Sequence, residues 1–173
     1  MTCVSCENKS VKFEIFSNLT LPLLKERCSL NDCLKLFSEP ENLKEVYCSV
    51  CRVNRDAYKR LEIWKLPPLL IVTLTRFKYN GVWREKNNTM VDYPLDSLDL
   101  ECFATIKPKN KYQLYATSNH SGDLAGGHYF VCRRLISGKS KWFEFNDENV
   151  MEINDISTLH SQSSYILFYS QYD

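Results

Sequence analysis

Four cysteines in the first third of the chain form two identically spaced pairs, Cys3 with Cys6 and Cys48 with Cys51. Each C-x-x-C pair can fold into a tight turn that brings its two thiolates to the same side. Two such turns on neighbouring strands give four tetrahedral sulfur ligands, the closed geometry of a structural zinc site. The alternatives are a redox pair or four buried thiols without a metal.

A histidine with the chemistry of a general base follows two glycines, Gly126 and Gly127. Glycines permit backbone conformations closed to other residues, and they let another chain approach closely. The pattern therefore presents His128 at the start of a strand, beside a flexible loop, where a general base is well placed. The alternative is an ordinary strand histidine. His120 is expected in the loop and solvated, and His160 at the surface.

The segment from Trp142 to Asp147 predicts another strand that ends in two side chains able to orient an imidazole. An imidazole that acts on a thiol needs its second nitrogen held by an acceptor, so that the proton sits on the correct nitrogen. Either Asn146 or Asp147 could supply that acceptor, and the sequence leaves the choice open.

The elements that must position these residues are mainly strands, and the pattern predicts a sheet-dominated α+β protein. Ser29 and Asp32 indicate the beginning of a helix whose apolar face includes Cys33, and Pro40 discourages its continuation. Turns are predicted at Asn80-Gly81 and Ser137-Gly138. Cys28, Cys102 and Cys132 are expected in the core. The predicted strands are 11–16 (half-buried, leading to 19–23), 56–64, 69–74 (buried on both faces), 112–117, 129–134, 142–145 and 165–169.

Composition excludes several classes of function. Apolar residues make up 44% of the chain and charged residues 25%, as in a folded protein. The formal net charge of +1 argues against nucleic acid as a partner, including a zinc-ribbon nucleic-acid binder, and against a polybasic membrane anchor. The longest apolar run, 66–74, contains two prolines and is too short for membrane insertion. Without a visible secretory signal, a cytoplasmic or nuclear location is expected, where cysteines serve as metal ligands or core residues.

Taken in order, these motifs resemble the ubiquitin-specific protease family over nearly the whole chain. Any single piece would be unspecific, whereas the ordered series is very specific. Its parts are the paired C-x-x-C turns, 66–79, 93–95, the histidine segment 119–129, 142–147 and the ending 165–169.

The resemblance implies a papain-like fold, with residues 1–65 as zinc-bearing fingers and residues 66–173 as the palm. In such enzymes a thumb cysteine attacks the carbonyl at the C-terminus of ubiquitin, a palm histidine deprotonates that thiol, and an Asp or Asn orients the histidine. Carried over, His128 is the base, Asn146 occupies the position usually held by Asp, and Gly126, Gly127 and Tyr129 line the path of the ubiquitin tail.

Two departures from the family pattern matter. Asn146 removes a charge that would stabilise an imidazolium, although papain-like enzymes also use Cys-His-Asn. The family's cysteine box, of the type Asn-x-Gly-Asn-x-Cys, is absent from this sequence, and none of the eight cysteines has that context. We therefore expect the isolated chain to lack the nucleophile and to be inactive. The alternative is a non-catalytic module that binds ubiquitin, ubiquitinated proteins or another partner, the latter at an apolar surface that would face the thumb.

Overall fold

The computed structural model describes residues 1–79, 81, 84–123, 126–137 and 139–172. Sheet dominates this described part, with one α-helix, α1 (Leu30–Phe37), and two short 3₁₀ helices, Glu101–Phe103 and Ile156–Leu159. The α+β prediction is confirmed. The strands are β1 (Thr2–Cys3), β2 (Leu19–Leu21), β3 (Cys28–Ser29), β4 (Glu41–Cys48), β5 (Val53–Lys59), β6 (Ile63–Lys65), β7 (Leu69–Leu74), β8 (Phe77–Tyr79), β9 (Arg84–Lys86), β10 (Val91–Asp92), β11 (Ala104–Ile106), β12 (Tyr112–Gly122), β13 (Gly127–Ser137), β14 (Lys139–Asn146), β15 (Asn149–Ile153) and β16 (Ser164–Gln171).

A seven-stranded sheet carries the histidine segment, in the order β15-β14-β13-β12-β16-β7-β2. All neighbours in it are antiparallel except β2 and β7. The strand β7 was predicted to be buried on both faces, and this was wrong. Leu70, Val72 and Leu74 are buried, whereas Leu69 is 63% exposed. The reason is that the main core packs on the face of β7 that carries Leu70.

Helix α1 begins as its sequence predicts. The Ser29 hydroxyl accepts from the backbone N–H of Asp32, and the Asp32 carboxylate accepts from the backbone N–H of Ser29, which is a capping box. Leu30, Cys33 and Leu34 are buried and join the core of the large sheet. The helix thereby covers part of that core and excludes solvent from it.

A separate three-stranded sheet has the order β1-β5-β4 and almost no core of its own. Among its strand residues only Cys3, Cys48 and Ala57 are buried. A sheet that buries so little apolar surface needs another source of stability.

Two local predictions need comment. Residues 11–16 form no strand, and Val11, Phe13 and Ile15 are exposed, so the half-buried strand predicted there was wrong. The two predicted hairpins have paired arms, β8 with β9 and β13 with β14, while Asn80 and Gly138 of their turns lie outside the described residues. Within the described ranges, no helix combines the length and apolar character needed to cross a membrane.

Candidate active site and metal site

The two C-x-x-C segments fold into the same turn. In the first, the carbonyl oxygen of Cys3 accepts from the backbone N–H of Glu7 at 2.9 Å; in the second, that of Cys48 accepts from Arg52 at 2.7 Å. Glu7 and Arg52 both have left-handed backbone conformations, with φ of 55° and 58°. Each turn therefore doubles back directly after its second cysteine and presents both sulfurs on one side.

Pairing of β1, β5 and β4 brings the two turns together. The Sγ atoms of Cys3, Cys6, Cys48 and Cys51 all lie within 4.8 Å of one another, and those of Cys6 and Cys48 are 3.5 Å apart. Four thiolates around one tetrahedral zinc ion would be separated by about 3.8 Å, given Zn–S bonds of about 2.3 Å. The backbone N–H of Cys51 donates to Cys48 Sγ, which lowers the pKa of that thiol to about 6. The neighbouring sulfurs raise the pKa of Cys51 and contribute to raising that of Cys6, so without a metal the four thiols do not all ionise together. The four residues fit a metal ion.

The strands of the histidine hairpin are longer than the sequence suggested. Strand β12 runs to Gly122, and its register with β13 places His120 opposite Tyr129 and Gly122 opposite Gly127. His120 is therefore a strand residue, and its predicted solvation was wrong, because only 4% of it is exposed. The rings of Tyr129 and Phe77, with centroids 4.7 and 5.2 Å from that of His120, enclose it.

His160 was also expected at the surface, but it is only partly exposed. Its Nε2 lies 2.7 Å from the carbonyl oxygen of Tyr93, and the two rings are 4.7 Å apart. These contacts fasten the segment before β16 to the strand end at Tyr93.

The two glycines before His128 have different surroundings. A Cβ atom on Gly127 would lie 2.0 Å from His120 Nε2 and 2.8 Å from the carbonyl oxygen of Ser121, whereas a Cβ on Gly126 would meet nothing within 4 Å. Close packing against His120 thus requires glycine at position 127. Burial, followed by the positive charge of Lys86, lowers the pKa of His120. A pKa below the ordinary value favours the neutral imidazole at pH 7. Its Nδ1 is buried and has no hydrogen-bond partner among the described residues.

Lys86 has a structural role that sequence reasoning missed. Its Nζ donates to the carbonyl oxygens of His120 and Gly122, at 2.8 and 2.6 Å, and so ties the end of the β12-β13 hairpin to β9. Burial lowers the pKa of Lys86. No spacing in the sequence signals this contact, because 34 residues separate Lys86 from His120.

Arg76 is fully buried, and no carboxylate among the described residues forms a salt bridge with it. Its Nε donates to the carbonyl oxygen of Ser164 at 2.6 Å, and its Nη1 donates to those of Asn87 and Thr89, both at 2.9 Å. Burial lowers the pKa of the guanidinium. Through these bonds Arg76 joins the end of β7 to β16 and to residues 87–89, which directly follow Lys86 at the end of β9. The sequence marked Arg76 only as part of a family motif.

His128 and Asn146 meet on one face of the large sheet. Val131 pairs with Phe145, so one further step places Asn146 opposite Phe130, and His128 is its diagonal neighbour on the same face. The Nε2 of His128 lies 2.6 Å from Oδ1 of Asn146. Asp147 is farther away, since its Oδ2 lies 3.6 Å from the same nitrogen, beyond hydrogen-bond distance.

The orientation of the Asn146 amide is set by a second contact. Its Nδ2 points to Oε1 of Glu144 at 3.4 Å, which leaves Oδ1 for His128. The amide oxygen accepts, so the imidazole must donate from Nε2, and the lone pair is then on Nδ1. The His128 side chain is 48% exposed, so Nδ1 belongs to an accessible ring that can act as a base.

The hydrogen-bond and ion-pair partners of His128 among the described residues are Asn146 and Asp147, and no thiol is among them. Cys28 and Cys33 are buried with their sulfurs 3.7 Å apart, and Cys132 is buried against Asn119. The core prediction is thus confirmed for Cys28 and Cys132. It was wrong for Cys102, which is exposed on the first 3₁₀ helix.

Comparison with known proteins gives the class of this fold and site. The family model for ubiquitin carboxyl-terminal hydrolases matches residues 1–169. Ubiquitin carboxyl-terminal hydrolase 10 of Arabidopsis thaliana is 39% identical over 84% of this chain, and human ubiquitin carboxyl-terminal hydrolase 15 is 36% identical over 96%. The chain belongs to the ubiquitin carboxyl-terminal hydrolase family, and the resemblance seen in its motifs is confirmed.

Solved structures agree with this assignment. A structure of the yeast SAGA DUBm matches 99% of the chain with a TM-score of 0.87 and 31% identity. The SAGA DUB module bound to ubiquitin aldehyde matches 99% with a TM-score of 0.83 and 29% identity. The chain spans 16% and 17% of the two named hydrolases and 39% and 40% of the two solved chains.

Proposed function

We propose that the chain is the histidine-bearing part of a ubiquitin-specific cysteine protease, which hydrolyses peptide or isopeptide bonds after the C-terminal glycine of ubiquitin. One observation carries the proposal: His128 Nε2 lies 2.6 Å from an acceptor, Asn146 Oδ1, on a half-exposed ring. Family membership supports the reaction class, and the ubiquitin aldehyde bound by a solved relative supports ubiquitin as the ligand.

Each step of the proposed reaction has a candidate group in this site. Asn146 Oδ1 accepts from Nε2, so Nδ1 of His128 removes the proton of an approaching thiol. The thiolate attacks the carbonyl carbon, and the imidazolium returns the proton to the leaving amine; water then hydrolyses the thioester. A neutral amide orients the ring without offsetting its positive charge. Asp147, 3.6 Å away and 76% exposed, adds a negative charge that solvent partly screens.

The nucleophilic thiol is proposed to lie outside this sequence. Four of the eight cysteines share the metal site, three are buried in the core, and the exposed Cys102 has no contact with His128 among those described. The isolated chain is therefore expected to bind ubiquitin without hydrolysing it. The same observations favour a second function, a non-catalytic module that binds ubiquitin or ubiquitinated proteins.

The ubiquitin tail is proposed to pass Gly126 and Tyr129. The space around Gly126 is open, and the exposed Tyr129 ring is held against His120. An open backbone beside an exposed ring leaves room for an extended tail to lie against it.

Zinc is the metal proposed for Cys3, Cys6, Cys48 and Cys51, because four thiolates at tetrahedral spacing suit it best. The site is structural, since all four positions are filled by protein. The β1-β5-β4 sheet then corresponds to the fingers and the large sheet to the palm. In this proposal the division between fingers and palm is not a single cut after residue 65. The strand β2 belongs to the large sheet, and helix α1 packs into its core, although both precede residue 65.

The hydrolytic proposal is tested with ubiquitin that carries a C-terminal fluorophore. The isolated chain should bind it without releasing the fluorophore, and Tyr129→Ala should weaken binding. Release that is lost in His128→Ala but survives thiol alkylation would contradict the assigned chemistry. If the chain neither binds ubiquitin nor releases the fluorophore, the second proposed function, a non-catalytic module that binds ubiquitin, is excluded as well.

The assignment of Asn146 is tested by nitrogen NMR of the His128 ring. In the wild-type chain the Nε2–H tautomer should dominate at a pH where the ring is neutral. Asn146→Ala should reduce that preference, whereas the neighbouring Asp147→Ala should leave it nearly unchanged. The opposite result would assign the orienting role to Asp147.

A further inference from the structure

Strand β12 extends past the end of its neighbour β16 before it reaches the histidine site. The register between the two strands ends at Asn119, while β12 continues to Gly122. His120 still donates its backbone N–H to the carbonyl oxygen of Ser163, so the backbone groups of His120 face the side of β16. Alternation turns those of Gly122 to the same side and those of Ser121 toward β13. The carbonyl oxygens of His120 and Gly122 therefore lie on an edge of β12 that β16 does not cover.

Lys86 takes the place of a neighbouring strand at this edge. Its Nζ donates to both carbonyl oxygens, at 2.8 Å to His120 and at 2.6 Å to Gly122. An ammonium group has three N–H donors, so one lysine can satisfy two oxygens on alternate residues. Lys86 is itself fixed in position, because it pairs with Phe77, whose ring packs edge to face on His120. The end of β12 is thereby held extended.

The residue between the two acceptors is the register partner of His128. Ser121 lies opposite His128, and Gly122 lies opposite Gly127, directly before that histidine. A displacement of β12 at this point therefore reaches the start of β13 through the hydrogen bonds of the ladder. The contact between His128 Nε2 and Asn146 Oδ1, at 2.6 Å, tolerates little movement, because a good N–H to oxygen bond requires the two atoms to stay within about 3.2 Å.

We propose that Lys86 is a positioning residue of the active site, which fixes the end of β12 and so holds the His128 imidazole against Asn146. This role rests on the proposed function of His128 as the general base. Lys86 acts only through the backbone of the hairpin, from a strand outside the large sheet. A residue that merely stabilises the fold would lower the melting temperature without changing the state of the His128 ring.

Nitrogen NMR of the His128 ring in the isolated chain, at a pH where the ring is neutral, tests the proposal. Lys86→Met keeps the length of the side chain but removes its donors. The ratio of the Nε2–H to the Nδ1–H tautomer should then fall by about threefold or more, the factor that one hydrogen bond is worth. The backbone amide of His128 should exchange with solvent at least about tenfold faster, because the end of β12 frays. Lys86→Arg keeps charged donors and should restore most of both values.

Two controls separate positioning from charge and from stability. Lys44→Met removes the same charge from an exposed pair with Asp56 in the small sheet, and it should leave both readouts unchanged. Leu34→Ala opens the core beside α1, so it should lower the melting temperature at least as much as Lys86→Met. It should nevertheless keep the wild-type tautomer ratio.

The proposal is overturned if Lys86→Met melts at a lower temperature but keeps the wild-type tautomer ratio and exchange rate at His128. If Lys86→Met does not fold, Lys86→Gln replaces it, because its shorter side chain keeps an amide donor. A smaller fall of the ratio is then expected, and an unchanged ratio again overturns the proposal. Failure of the proposed function looks different: the wild-type chain itself would show no preference for the Nε2–H tautomer, and the role of Lys86 would fall with it.

Discussion

The two sheets of this chain are stabilised in different ways. The seven-stranded sheet packs helix α1 and a continuous apolar cluster against one face. The β1-β5-β4 sheet buries three strand residues, and two of them, Cys3 and Cys48, belong to the four-cysteine site. One region is thus held by buried apolar area, which grows with the number of residues that pack. The other contains four sulfur atoms that could hold a metal ion, and its stability is proposed to depend on that ion.

The two sheets should therefore lose structure independently. Removing the metal should remove the main stabilising contribution from the small sheet and little from the large one. A methyl group added beside His120 should destabilise the large sheet and leave the small sheet intact.

The largest effect is expected from loss of the metal. Structural zinc sites contribute about 10 kcal/mol or more, which exceeds anything the three buried residues of the small sheet can replace. Treatment with a chelator, or Cys48→Ser, should abolish the slow hydrogen exchange of β4 and β5 while β12, β13 and β16 stay protected. Metal analysis of the purified chain should give one zinc per molecule.

Cys102→Ser is the matched control for this experiment. Cys102 is an exposed cysteine outside the cluster, so its replacement should leave both the zinc content and the exchange pattern unchanged. If β4 and β5 stay protected from exchange after complete removal of the metal, the small sheet is not stabilised mainly by the metal, and the proposed difference between the two sheets is wrong.

The same contrast explains what the sequence could predict. The cysteine site and helix α1 could be predicted because short sequence patterns specify them. These patterns are the C-x-x-C turns and the Ser29–Asp32 capping box. His120 was misplaced because its burial depends on Phe77, more than forty residues away in the chain. A local pattern carries no information about such a neighbour. Residues 11–16 were misread for a similar reason, since alternation indicates a strand but not whether a partner exists.

A medium effect is expected at Gly127. Because an added Cβ would overlap His120 Nε2 and the Ser121 carbonyl, Gly127→Ala should lower the free energy of unfolding by about 1–3 kcal/mol. Gly126→Ala is the neighbouring control and should change it by less than about 0.5 kcal/mol, since the space there is open. Urea denaturation measures both.

Ring NMR of His128 in the same two variants gives a second readout. Gly127→Ala should also disturb the contact between His128 and Asn146, because the strand start must move to relieve the overlap. Equal stability of the two alanine variants would mean that His120 yields easily, and that the large sheet is less tightly packed beside the site than its geometry indicates.

The smallest effect concerns pH. Burial depresses the pKa of His120 in the folded chain below its unfolded value of about 6.5, so the unfolded state binds the extra proton first as the pH falls. The resulting stability is fully present above pH about 6.5 and is lost progressively below it, with a slope of at most about 1.4 kcal/mol per pH unit. His120→Phe should flatten this part of the stability curve, whereas Tyr129→Phe, which alters the adjacent ring without a group that titrates there, should keep it. An unchanged slope in His120→Phe would place the protonation elsewhere. His120 would then take up a proton as easily in the folded chain as in the unfolded one. That outcome is not expected, because Phe77 and Tyr129 enclose the ring and its buried Nδ1 has no hydrogen-bond partner among the described residues.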